Sequence, residues 1–137
     1  MPERVYHHRK AHYNVEVAAH LHGQTPYIDW AVTATFYAAL HLVDSMLAVS
    51  DLPKDEQHPR KHSAAGTPGN GGRGRNQLVA SEFNAIRKAY RSLEEASRRA
   101  RYDLKMLDPA AYARLQAQYQ EIVRYEQLMS KVLDKSA

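Results

Sequence analysis

Tyr37, His41 and Asp44 stand four and three residues apart, a spacing that stacks side chains on one strip of a helix surface. A phenol, an imidazole and a carboxylate so aligned can do proton chemistry. Asp44 could fix the tautomer of His41, and His41 could then act as a general acid or base or grip a ligand. The same groups could equally form an internal hydrogen-bonded network. Either way the strip borders a core, because Ile28, Val32, Phe36, Ala39, Leu40, Val43 and Leu47 run beside it with helical period.

A second set is cationic. His58, Arg60, Lys61, His62, Arg73, Arg75 and Asn76 gather around a long connection and the start of the helix that follows it. Guanidinium and imidazole groups beside a helix N-terminus suit an anion. Arg98, Arg99 and Arg101 crowd the end of that same helix. There they complement the dipole and can also take phosphate oxygens bidentately. The first helix carries His7, His8, His12, His20 and His22, of which His8 and His12 have a metal-binding spacing. Arg9 and Lys10 lie between them and repel a cation, so the sequence predicts no metal and no cofactor.

These groups need four helices to position them. The first spans about 4–22 and stops at Gly23. The second begins with Thr25 as cap and Pro26 in the first turn, and reaches about Val49. The third runs from Gly74 to about Arg98, with Val79, Phe83, Ile86, Tyr90 and Leu93 alternating four and three apart. The fourth starts at Asp108-Pro109. Its stripe is Tyr112, Leu115, Tyr119, Ile122, Met129 and Leu133, interrupted by Glu126. No stretch alternates as a strand would. The expectation is an all-α, antiparallel, up-and-down four-helix bundle, one domain over residues 1–137. A long loop joins the second and third helices, with a flexible Gly-rich part at about 63–74. The piece GTPGNGGRG at Gly66–Gly74 is not a P-loop, since no Gly-Lys-Ser/Thr follows. Its amides could still hold a phosphate beside Arg73 or Arg75.

With 44% apolar and 25% charged residues the chain can build a core. It has no cysteine, hence no disulfide and no thiolate metal site. The net charge of +4 permits nucleic-acid binding without demonstrating it. No apolar run of bilayer length is evident and no signal peptide opens the chain, so a cytoplasmic, membrane-free protein is expected.

Asp29-Trp30-Ala31-Val32 with Phe36-Tyr37-Ala38-Ala39-Leu40-His41, the order His62…Arg75-Asn76, and the run Tyr90…Leu93…Ser97-Arg98…Ala100-Arg101-Tyr102 together resemble one branch of the HEPN superfamily. The resemblance covers about residues 29–103. It implies a small helical bundle that homodimerises and binds RNA or nucleotide phosphate. It also implies the metal-independent ribonuclease activity of many members, often in toxin–antitoxin or defence systems, and an antitoxin or nucleotidyltransferase as partner. On that reading Arg75 holds the phosphate, Asn76 orients it, and His41 or His62 supplies acid–base catalysis. The active nucleases carry a His about four to six residues after the Arg, whereas Gln77–Glu82 contain none; this is why His62 or His41 would have to serve. Arg73, Arg98 and Arg101 would grip neighbouring phosphates, and Tyr37 and Tyr102 would stack a base or bond a ribose. The alternative is a catalytically silent dimerisation or protein-interaction module. In either case Arg75, at a loop edge, is expected to contribute little to the core.

Overall fold

The computed structural model describes residues 2–22, 27–59, 74–102 and 109–136. Every regular element among them is helical: α1 Pro2–His22, α2 Ile28–Ala48, α3 Lys54–Gln57, α4 Arg75–Glu82, a 3-10 turn Asn84–Ile86, α5 Arg87–Tyr102 and α6 Pro109–Ser136. The chain is all-α. The Gly-rich stretch as far as Arg73, together with Gly23, Thr25, Pro26 and Asp108, lies outside the described residues.

α2 is the centre. It packs against α1, α5 and α6, and α5 also packs on α6. Its sequence is apolar on nearly every side, which suits a helix enclosed by others. Ala31, Val32, Ala38, Ala39, Val43 and Leu47 have no measurable exposure. At 21 residues and mean hydropathy 1.3, α2 is long and apolar enough to cross a membrane by composition alone, contrary to the first reading of the sequence. Here 89% of that stretch is buried inside the protein. Phe36 meets Tyr90 of α5 at 5.7 Å between ring centroids, and Phe83 meets Tyr125 of α6 at 6.0 Å.

α1 docks differently. Its large apolar side chains do not share a face: Val5, Tyr6 and Tyr13 are exposed, and the buried positions are Ala11 and Ala18. Small residues let the α1 and α2 backbones approach, and polar pairs fix the register. Glu126 of α6, which breaks the apolar stripe of that helix, is one anchor. It is buried and receives His8 Nε2 at 2.7 Å, Ser130 Oγ at 3.1 Å and Ser45 Oγ at 3.5 Å. Arg4 reaches across to Ser130 and stands 4.0 Å from the same carboxylate. The polar interruption in α6 is therefore a seam joining α1, α2 and α6.

The third expected helix is divided. Val79, Phe83, Ile86, Tyr90 and Leu93 are all buried, as their spacing predicts. Yet Phe83 sits at φ −128°, ψ 49°, and a 3-10 turn follows. The Asn84 side-chain amide donates to the Ala80 carbonyl at 3.1 Å, occupying the acceptor its own backbone N–H would use in a continuous helix. Residue type at one position overrides the period of its neighbours.

Candidate functional site

The strip Tyr37–His41–Asp44 is real, and each member reaches a different helix. Tyr37 accepts from Arg101 Nη1 of α5 at 3.3 Å. The Nδ1 of His41 lies 2.9 Å from the Nδ1 of His7 on α1. Asp44 takes Arg75 at the start of α4, with Nε to Oδ1 at 2.8 Å and Nη2 to Oδ2 at 3.2 Å. One face of the core helix thus ties three others to itself.

Arg75 is not a loop-edge residue. It is 6% exposed, and its Nη2 also donates to the Pro59 carbonyl at 2.6 Å. Burial alone would make its proton easier to lose. The charge of Asp44 and the hydrogen bonds to it more than offset that, so the guanidinium is held more firmly protonated than usual. This arginine locks α4 and the short segment after α3 onto α2.

His41 is half-buried and its pKa is lowered. Burial is the main cause, followed by His7; Asp44 pulls the other way, and Lys10 and Arg75 add to the lowering. A neutral pair explains the short contact with His7, since one ring nitrogen must donate and the other accept. The edge of Tyr6 covers both imidazoles, at centroid distances of 5.4 Å and 6.3 Å. His41 is neither fully enclosed nor hydrogen-bonded to Asp44.

Asn76, next along α4, faces away from this cluster. Its Nδ2 donates to Glu94 Oε1 at 3.2 Å, and Arg98 Nη2 donates to the same oxygen at 3.4 Å. These residues floor a cleft of about 400 Å³ between α4 and α5, walled by Arg87, Tyr90, Arg91 and Arg98. Glu94 and Glu95 also line it, and the buried polar atoms without a protein hydrogen-bond partner there include Asn76 Oδ1 and the Tyr90 hydroxyl. Burial raises the Tyr90 pKa well above the ordinary phenol value, so it stays a donor at any working pH.

The expected site residues therefore divide. His41 and Arg75 approach each other through Asp44, Asn76 and Arg98 meet at Glu94, and Tyr37 meets Arg101. His62 and Arg73 lie outside the described residues, as does the side chain of Tyr102, which ends α5. His8 is engaged by Glu126, while His12 beside it is exposed. Sequence alone gives His7 only as one of five histidines on the first helix, and it does not single out Glu94, Arg87 or Arg91. A signal for the last three was present: Arg87, Arg91, Glu94 and Arg98 repeat four, three and four apart, one strip of α5.

With this geometry in view, comparison with protein-family models, curated proteins and solved structures yields no match to this chain.

Proposed function

We propose that this chain is a HEPN-like domain, an antiparallel bundle of the four long helices α1, α2, α5 and α6, that binds RNA or nucleotide phosphate. The observation that carries this reading is the cleft between α4 and α5. Three arginines outnumber the two carboxylates, Glu94 and Glu95, in its lining, and Asn76 Oδ1 and the Tyr90 hydroxyl find no hydrogen-bond partner in the protein. Its volume of about 400 Å³ falls in the range of small-ligand sites. Arg87 and the largely exposed Arg91, which shares its Nε with Glu95 at 3.3 Å, supply guanidinium N–H groups for phosphate oxygens, and Asn76 Oδ1 would accept from a ribose hydroxyl or base amine once the cleft opens to it. Arg101 lies three residues beyond Arg98 and leads to the exposed Tyr37. Trp30, 59% exposed and seven residues before Tyr37, extends the same helix face. Exposed rings beside a basic strip suit stacked bases.

In this reading Arg75 serves the fold. Its Nε and Nη2 are engaged by Asp44 and Pro59, and it sets Asn76 over the cleft instead of holding a phosphate itself.

The test is fluorescence anisotropy with a labelled single-stranded RNA and competing AMP, in EDTA, at about 50 and 200 mM salt. Three phosphate contacts predict a slope of log K against log salt near −2, hence a loss of roughly tenfold to twentyfold between those concentrations. Arg87→Ala with Arg91→Ala should weaken binding and flatten the slope by about 0.7 per residue. Unchanged affinity and slope in the double variant would refute the assignment. RNA cleavage in EDTA that disappears in His41→Ala would instead establish the ribonuclease reading, with His41 leaving His7 to act.

A further inference from the structure

His7, His41 and Asp44 bring two imidazole nitrogens and a carboxylate oxygen within 4.8 Å of one another. We propose that these three side chains form a binding site for one divalent transition-metal ion of the zinc class, linking α1 to α2. The inference is separate from the phosphate cleft and involves none of its residues.

Three features argue for it. First, the two Nδ1 atoms point at each other across 2.9 Å. Zinc held by both at about 2.0–2.1 Å in tetrahedral geometry needs them about 3.3 Å apart, so the ion is admitted when the pair parts by a few tenths of an ångström and both rings turn until their lone pairs converge on it. Second, His41 and Asp44 are three residues apart on one rigid helix, and α1 brings the third ligand from a helix packed along its length. Third, the carboxylate is already oriented. Arg75 donates to both Asp44 oxygens, leaving a lone pair for a metal, in the way ligating carboxylates are commonly held by an outer donor.

The donor set selects the ion. Two imidazoles and one carboxylate favour zinc, cobalt, nickel or copper over magnesium or calcium, which take oxygen ligands. Among the described residues Arg75 and Lys10 are the cations that act on His41. The Asp44 charge balances Arg75 at contact distance, and the Lys10 side chain is exposed, with its ammonium over the Tyr6 and Tyr13 rings. Three protein ligands leave a fourth position for water, and His7 and His41 are each only half-buried, so the ion can enter from solvent.

The experiment uses the full chain, stripped with EDTA and exchanged into chelator-free buffer. Zinc is titrated calorimetrically, and cobalt by its visible absorption. The expected result is one ion per chain, cobalt bands of a four- or five-coordinate complex, and a higher Tm with zinc. The ring proton NMR signals of His7 and His41 should move while that of His12 does not. His7→Ala and His41→Ala should each lose at least about 100-fold in affinity, beyond the effect of losing an outer partner, and His12→Ala should bind as wild type. If a substituted chain loses its helical circular dichroism, the wild-type NMR assignment decides. The proposal is overturned by no saturable binding up to about 1 mM zinc, by shifts at other histidines, or by undiminished binding in a folded His7→Ala.

Discussion

Arg75→Ala is expected to destabilise the domain by about 3–5 kcal/mol, the usual cost of removing one partner of a buried ion pair. The side chains of Arg75 and Asp44 are 7% and 10% exposed, so water cannot replace the guanidinium without the helices separating. The loss has two parts. The buried Asp44 carboxyl loses both of its arginine hydrogen bonds and its counter-charge, and the Pro59 carbonyl loses its short donor. For a chain of this size the drop in Tm should exceed about 10 °C. Arg75→Lys should recover only part, since a point-charge ammonium cannot match a fork that meets two carboxylate oxygens and a carbonyl. The informative companion is Arg75→Met with Asp44→Leu. Replacing both charges with apolar groups of similar volume removes the unpaired carboxylate, and such replacements are often neutral or stabilising. Urea melts of the three proteins should rank the double variant above Arg75→Ala. If Arg75→Ala melts within a degree or two of wild type, the pair is not what fastens α4 to α2.

That expectation reverses the one drawn from sequence, and the reason is instructive. Position in the chain placed Arg75 at the edge of a glycine-rich connection. Nothing local indicates that Asp44, thirty-one residues earlier, looks out of α2 toward it. Period is local information, and period was readable: the buried set Tyr112, Leu115, Tyr119 and Ile122 and the set Val79 through Leu93 follow from spacing alone. The strip Tyr37–His41–Asp44 was readable for the same reason. Which helix each member meets was not, because partner choice depends on how the helices pack. His7 illustrates this. It was one of five histidines on a helix with no clear apolar face, and only the packing of α1 on α2 singles it out. Glu126 is similar: spacing flagged an interruption, and only the assembled fold shows Arg4, His8, Ser45 and Ser130 converging on it. The cleft was half legible. Reading α5 as runs of sequence grouped Arg98 with Arg99 and Arg101; reading it by helical strip groups Arg98 with Arg91 and Arg87. The halt at Phe83 depended on a side-chain bond from Asn84 that competes with the helix, an effect no hydrophobic stripe reports.

Leu93→Ala should have the other large effect, and it separates the scaffold of the cleft from its chemistry. Leu93 has no measurable exposure and stands between Tyr90 and Ser97 on the inner face of α5. Truncating a leucine so enclosed typically costs about 3–5 kcal/mol, from lost transfer energy and the space left behind. The outer face of the same helix should behave oppositely. Arg91 and Glu95 form an i,i+4 pair at 3.3 Å with side chains 76% and 49% exposed. Such pairs contribute about 0.3–0.5 kcal/mol, so Arg91→Ala should leave the melting curve nearly unchanged. The two variants therefore make a crossed comparison. Leu93→Ala should unfold at much lower urea, yet any fraction still folded at low temperature keeps Arg87, Arg91 and Arg98 in place and should retain RNA affinity once corrected for that fraction. Arg91→Ala should stay folded and lose affinity. If both variants lost affinity in proportion to stability, binding would follow from having a folded basic helix and not from the cleft. If Arg91→Ala alone lost affinity, the outer strip of α5 would be the binding surface, held in position by a core that takes no part in the contact.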